Sequence, residues 1–149
     1  MPAEGSSEWH EFLVRLHAAV EAHAIVAVTD AAGVITHAND RFCEISGYAR
    51  EELVGKTHKT INSGYHTREF FAEMWATIGS GRIWRGAICN RAKGGKNYWV
   101  DSTIVPFLGP DGKPTQYIAL RTEITRLKEI EEALGRLTRD LEMRVEQRT

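Results

Sequence analysis

Histidines and cysteines are the residues of this chain best suited to chemistry, and their spacing favours no reaction. Four of the six histidines precede residue 40 and share no spacing typical of a metal site. The sequence also shows no Ser/His/Asp or Cys/His grouping, no phosphate-binding glycine loop and no metal-ligand spacing. We therefore expect no catalytic residues and no metal site, which argues against an enzyme.

The composition indicates one domain with extensions in a reducing compartment. The chain has 149 residues, of which 42% are hydrophobic, and its net charge of -1 offers no electrostatic surface for nucleic acid. Cys43 and Cys89 each lie in an apolar segment, so we expect two reduced core thiols and a cytoplasmic location, with a disulfide or metal pair as the alternative. No apolar run approaches the length of a membrane span, and we expect no membrane contact.

The elements that must position any site are strands in the second half of the chain and short helices before them. Gly94-Gly95 separates the segments 84–93 and 96–108, and Pro110-Asp111-Gly112 leads into 115–124, which indicates two successive hairpins. Two short strands are predicted around 24–29 and 34–37. Thr67 is placed to cap a helix with Phe71 and Trp75 on its apolar side.

The two ends of the chain have helical periodicity. Apolar residues of the first end recur with a period near 3.6 from Trp9 to Val20, typical of an amphipathic helix. Beyond Thr125, the leucine and isoleucine positions step by three and four, as in a coiled coil. We expect both helices to form a homodimer, with packing against the chain's own domain as the alternative. Because the helical pattern continues to the last residues, we also expect a downstream output domain.

Four motifs within residues 24–125 resemble the PAS sensor family. They are Asn39-Asp40-Arg41-Phe42, Ile45-Ser46-Gly47-Tyr48, the segment 51–56 and the closing Glu123-Ile124-Thr125. The resemblance implies an α+β PAS fold whose five-stranded antiparallel sheet is built in the order β-β-α-α-α-β-β-β. It divides the chain into an N-terminal amphipathic cap or dimerisation helix at 1–23, a PAS domain at 24–125 and a coiled-coil signalling linker at 126–149.

Within the family, residues 71–91 are similar to flavin-binding redox and oxygen sensors of the aerotaxis receptor and NifL type. This resemblance implies noncovalent FAD, whose flat ring needs aromatic walls and an amide that both donates and accepts. Positions matching the flavin pocket are Asn39, Phe71, Trp75, Trp84 and Asn90. The family's Arg-His-x-Asp segment appears as residues 62–65, Asn-Ser-Gly-Tyr, so its contacts to the ribose and phosphate part are not carried over.

Three further residues extend the candidate site. His58 occupies the position of the reactive cysteine of flavin photoreceptors, which excludes cysteinyl adduct chemistry. The helix histidine of haem sensors is matched by Phe70, although haem ligation by His58 or His66 stays an alternative. Arg121 could sense flavin charge if it faces the pocket, and is a solvated strand residue if it faces outward.

These expectations combine into one functional hypothesis. The chain is expected to be a cytosolic PAS sensor that relays redox or oxygen state through a dimeric coiled coil. Its missing output domain would be a histidine kinase, in a two-component system, or a diguanylate cyclase. The alternatives are a cofactor-free dimerisation or coupling module and a haem-binding gas sensor.

Overall fold

A five-stranded antiparallel sheet is the centre of the computed structural model, which describes residues 3–148. Its strands lie in the spatial order β2-β1-β5-β4-β3, so the first and last strands in sequence pair side by side. They are β1 (Ile25–Asp30), β2 (Ile35–Ala38), β3 (Trp84–Arg91), β4 (Asn97–Leu108) and β5 (Pro114–Glu123). The predicted α+β class, strand number and element order are confirmed.

Helices flank the sheet and connect its two halves. They are α1 (Ser7–His23), α2 (Asp40–Ser46), α3 (Arg50–Leu53), a 3₁₀ turn (His58–Ile61), α4 (Arg68–Gly79) and α5 (Thr125–Arg148). Side chains of Ser6, Asn39 and Thr67 accept a backbone N–H at the start of α1, α2 and α4, which satisfies donors that have no partner within the helix. The predicted Thr67 cap is therefore in place.

One face of the sheet carries the core and the chemistry-bearing side chains. Along β4 every second residue is buried, beginning with Tyr98, Val100 and Ser102, as the two-residue period of a strand requires. The helices α2, α3 and α4 supply the opposing side chains, among them Phe42, Leu53 and Ile78. The core thus lies between the sheet and the helices that connect β2 to β3.

The two terminal helices bury none of their residues in the domain. On α5 the heptad positions are all about half exposed, and the exposed apolar residues of α1 lie on one turn. The α5 residues are Leu127, Ile130, Leu134, Leu137 and Leu141, and those of α1 are Leu13, Val14 and Leu16. None of the described helices is both long enough and apolar enough to cross a membrane.

Gly86 on β3 makes room for the indole of Trp84, two residues earlier on the same face. A Cβ at Gly86 would lie 2.6 Å from the Trp84 ring, closer than van der Waals contact permits. The Trp84 ring also meets the Phe70 ring edge to face, with centroids 5.6 Å apart, so it has neighbours on both sides. Absence of a side chain at Gly86 therefore fixes where Trp84 packs.

We expect Gly86→Ala to destabilise the domain by about 1–3 kcal/mol, since the added methyl group forces the Trp84 ring out of its site. Urea unfolding followed by far-UV circular dichroism measures the change. Gly94→Ala is the matched control, because a Cβ there meets no atom within 4 Å. Equal unfolding midpoints for the two variants would contradict the proposed packing.

Candidate functional site

A cavity of about 420 Å³ lies between the inner face of the sheet and α4. That volume is within the range usual for small-molecule sites. Ile88, Ile104 and Ala119 form an apolar floor on β3, β4 and β5. The α4 wall consists of Phe71, Met74, Trp75 and Ile78, at the i, i+3, i+4 and i+7 positions of one helix face. The site is therefore a largely apolar slot bounded by the sheet on one side and by α4 on the other.

Polar side chains converge at one end of this slot. Asn90 on β3 and Arg121 on β5 are both more than nine-tenths buried and both line the cavity. His58, from the 3₁₀ turn, lines it opposite the sheet. An amide, a guanidinium and an imidazole thus meet at one end of an apolar space, which suits a ligand with one polar edge.

Arg121 is a buried cation without an anionic partner among the described residues. Its guanidinium Nη1 lies 3.0 Å from Nε2 of His58, its Nε has no hydrogen-bond partner, and it stands over the Phe42 ring. Burial lowers the pKa of Arg121 to about 10, so the group remains protonated at neutral pH. An unpaired buried charge is costly, which marks Arg121 as a candidate ligand contact.

His58 is held in its neutral form by its surroundings. Because the guanidinium can only donate, Nε2 of His58 must accept the bond and cannot carry a proton. Burial, and then the charge of Arg121, keeps the pKa of His58 well below its usual value. Its ring also stacks on Phe42, with centroids 6.0 Å apart. His58 therefore orients the guanidinium and leaves its charge uncompensated.

Residues 57–66, here named the cover segment, close the cavity on the side of the edge strand β3. The Ser63 hydroxyl donates to the carbonyl oxygen of Cys89 at 2.6 Å, and the backbone N–H of Cys89 donates to Nε2 of His66 at 2.9 Å. Asn62 also forms a bridge with Asn90. The cover segment is thus fastened to the backbone of the same strand that carries Asn90.

The mouth of the cavity lies near the β1–β2 turn. There the Trp75 ring, 42% exposed, packs on Gly33, where a Cβ would lie 2.8 Å from the indole. Gly33 also has φ +90, a conformation that favours glycine. Exposed Lys59 and Asn62 of the cover segment line the cavity as well. A ligand larger than the slot would pass these residues on its way out.

Two residues predicted for the site lie outside the cavity lining. Asn39 does not line the cavity: its Oδ1 accepts from the N–H groups of Val26 and Phe42, and its Nδ2 donates to the carbonyls of Glu21 and Ala24. Its amide is fully used in joining α1, β1 and α2. Trp84 is on the inner face but packs on Gly86 and Phe70 beyond the lining.

The other five predicted residues are brought together around one space. Asn90, Arg121, His58, Phe71 and Trp75 all line the cavity. Sequence reasoning missed Lys59, Asn62 and Tyr117. The position of Tyr117 could have been found from strand alternation, since it shares the face of Arg121. Lys59 and Asn62 carry no periodic signal, because they belong to an irregular segment.

The family assignment follows from a model of the PAS fold, which matches residues 35–121 and so includes the cavity-facing strands β3 and β4 and most of β5. The chain belongs to the PAS family. Its relatives include the aerotaxis receptor of Escherichia coli K12, 39% identical over 101 residues, covering 68% of this chain and 20% of that protein. A nitrogen fixation regulatory protein of Klebsiella pneumoniae is 34% identical over 114 residues, covering 76% of this chain and 23% of that protein. The chain thus spans about a fifth of the length of these relatives.

Solved structures confirm the PAS fold. An RNA-binding light-oxygen-voltage receptor superposes with a TM-score of 0.77 at 20% identity, covering 93% of this chain and 40% of that one. The PAS domain of a protein from Colwellia psychrerythraea gives 0.67 at 24% identity, covering 77% and 98%. At these identities the likeness concerns the fold alone.

The PAS domain is joined to α5 by a short set of bonds at Trp99. The backbone N–H of Trp99 donates to the Thr125 hydroxyl at 3.0 Å, and that hydroxyl donates to Glu123 at 2.8 Å. The Trp99 ring meets Tyr65 of the cover segment at 4.9 Å and lies under the Lys128 ammonium. Trp99 therefore contacts both the cover segment and the helix that leaves the domain.

Acid should loosen the cover segment of the PAS domain, because His58 and His66 each use Nε2 as an acceptor. Burial lowers the pKa of both groups, so the closed form binds fewer protons than the open one. The stability of the closed form is complete above the ordinary histidine pKa of about 6.5 and is lost as the pH falls below it, by at most about 1.4 kcal/mol per pH unit for each group. Hydrogen exchange at the Cys89 amide measures the loosening.

His66→Gln keeps an acceptor that does not titrate, so the dependence of Cys89 exchange on pH should weaken in that variant, after correction for intrinsic exchange. His10→Gln, at an exposed position of α1, is the control and should behave as the unchanged protein. Equal protection of Cys89 above and below this pKa would contradict the role of His66.

Proposed function

We propose that this PAS domain binds FAD noncovalently and responds to its redox state. The observation that supports it most is the convergence of Phe71, Trp75, His58, Asn90 and Arg121 on one cavity of about 420 Å³. An apolar slot with an aromatic wall and one polar end matches the chemistry of a flavin ring, which is flat and apolar with a hydrogen-bonding edge. The similarity to the aerotaxis receptor favours a sensory role for the same region.

The residues that line the cavity would contact different parts of FAD. Asn90 can donate hydrogen bonds to the polar edge of the ring and accept them from it. Phe71 and Trp75 of α4 can pack against the flat face of the ring. Lys59 and Asn62, exposed residues of the cover segment that line the cavity, would meet the phosphate-bearing part. Bound flavin supplies reversible electron uptake, and this chain's own residues supply the orientation and the dry surroundings.

Haem is less well supported than flavin. Nε2 of His58 is occupied by Arg121, and Nε2 of His66 by the Cys89 amide on the outer edge of β3. Neither nitrogen is directed at the cavity as a free ligand. The cofactor-free coupling module is the second candidate, and the half-exposed apolar faces of α1 and α5 favour it as well.

The signal would leave the domain through β5 and α5. Arg121 lies two residues before Glu123, whose carboxylate accepts from Thr125 at the first turn of α5. A change at the polar end of the cavity would shift this strand relative to β4, since Ser102 pairs directly with Arg121. The bonds at Trp99 would convert that shift into a change in the direction of α5.

We propose that α5 pairs with α5 of a second copy of this chain, with α1 contributing to the same dimer. The heptad residues of α5 are about half exposed and have a coiled-coil spacing, whereas a helix this polar gains little stability alone. The output domain would be a histidine kinase or a diguanylate cyclase. The free cysteines Cys43 and Cys89 suit a reducing cytosol.

Asn90→Ala should abolish flavin retention, because the variant loses the amide that would bind the polar edge of the ring and has only a methyl group in its place. The absorption spectrum of the purified protein, before and after dithionite, measures the flavin bands and their bleaching. Asn97→Ala is the control: this exposed asparagine pairs with Arg91, one position along the same two strands, and does not line the cavity. Full flavin content in Asn90→Ala would refute the assignment.

Leu134→Lys should weaken the dimer at least tenfold, since a charge replaces an apolar residue in the middle of the α5 seam. Sedimentation velocity over a range of concentrations measures the association. Ala133→Lys adds the same charge next to the seam and should retain the dimer. If both variants sediment as the unchanged protein does, α5 is not the dimer contact.

A further inference from the structure

We propose that Arg121 is the residue that selects negative charge on the bound ligand, and that it holds two-electron-reduced flavin in the cavity as its anion. The inference rests on the proposed function, because it assigns the charge state of the FAD proposed for the same site. It adds a role for a residue that no motif of the sequence predicts to bind an anion.

The first observation is the isolation of the guanidinium. Arg121 is 5% exposed, and its Nε has no hydrogen-bond partner. No Asp or Glu is found among the described residues that line the cavity. Burial of a charge without a partner costs several kcal/mol, and an anionic ligand in the cavity would remove that cost.

The second observation concerns the other groups that face Arg121 from the surrounding elements. His58 of the cover segment is a neutral acceptor, and would add positive charge if protonated. From β4, the buried Tyr98 hydroxyl lies beside Asn90, and burial raises its pKa to about 12. Lys59 lines the mouth as a second cation, and the Glu123 carboxylate is exposed and bonded to Thr125. The field within the cavity is therefore positive.

The third observation is the unused hydrogen-bonding capacity around the same residue. The Ser102 hydroxyl, directly paired with Arg121 across β4 and β5, is fully buried and has no partner. The Ser102 hydroxyl and the Nε of Arg121 are thus two unsatisfied polar groups on the inner face of the sheet. Buried polar groups normally have partners, and of these two residues only Arg121 lines the cavity, so its Nε is the atom that a ligand there would satisfy.

The chemistry of the ligand connects these observations. Oxidised flavin takes up two electrons and one proton to become a monoanion, and a second proton makes it neutral. A guanidinium in a dry site stabilises the monoanion and opposes uptake of the second proton. The reduced ligand then binds more tightly than the oxidised one, which raises the midpoint potential.

The experiment is a potentiometric titration of the flavin-loaded protein, with a soluble mediator pair supplying the electrons. For a two-electron couple, uptake of one proton gives a slope of about 30 mV per pH unit, and uptake of two protons doubles it. We expect the single-proton slope in the unchanged protein throughout the range from about pH 6 to about pH 8. A two-proton slope throughout that range would overturn the inference.

Two substitutions test whether Arg121 is the cause. Arg121→Gln removes the charge, and we expect the two-proton slope at the acid end together with a midpoint lower by at least about 30 mV, a tenfold loss of preference for the reduced form. Arg121→Lys retains the charge and should restore the single-proton slope. Arg85→Gln, at an exposed position of β3, is the control for loss of one positive charge.

The outcomes separate this inference from the function on which it rests. Both the proposed function and this inference are supported if flavin binds, bleaches on reduction and titrates with a single-proton slope that is lost only in Arg121→Gln. Flavin that binds with the same slope in Arg121→Gln refutes the role of Arg121 and leaves the flavin site intact. A protein that stays colourless with added FAD refutes the proposed function, and the inference with it. If Arg121→Gln does not fold, the slope in the unchanged protein and in Arg121→Lys still decides.

Discussion

The uncompensated charge of Arg121 is the constraint on which the arrangement of the site depends. A guanidinium is stable inside an apolar domain only where its N–H groups have hydrogen-bond acceptors and its flat face packs on an aromatic ring. His58 and Phe42 meet these needs, and both must then occupy fixed positions. Since His58 belongs to the cover segment and Phe42 to α2, one buried cation specifies how two separate connections approach the sheet.

The fold was predictable because its signals are local and agree with one another. The Thr67 cap, the turn at Gly94-Gly95 and the alternation along β4 each fix a short element, and the antiparallel order then follows from short connections. Asn90, Phe71 and Trp75 were predicted from their resemblance to a motif, and all three line the cavity. The direction of Arg121 was left open by the sequence, and the structure places it on the inner face of β5 with Tyr117 and Ala119.

The two predicted site residues that lie outside the cavity lining show how packing can separate a motif residue from a cavity. Asn39 has the residue type of a ligand contact, but four backbone groups at one chain crossing satisfy its amide completely. Trp84 shares a face with Asn90 and still misses the cavity, because Gly86 offers its ring a nearer surface. The cover segment could not be predicted, since it is held by single bonds to a strand distant in sequence and has no period of its own.

The bonds that fasten the cover segment have a second consequence, which concerns solubility. β3 is one of the two edge strands of the sheet, and an open edge is a template on which another chain can add a strand. Ser63 and His66 occupy the carbonyl and amide of Cys89 in the middle of that edge, and the charged side chains of Arg85 and Arg91 lie on either side. The segment that encloses the cavity therefore also keeps the sheet from growing. Any movement that opens the cavity by releasing this segment would therefore also expose the edge of β3.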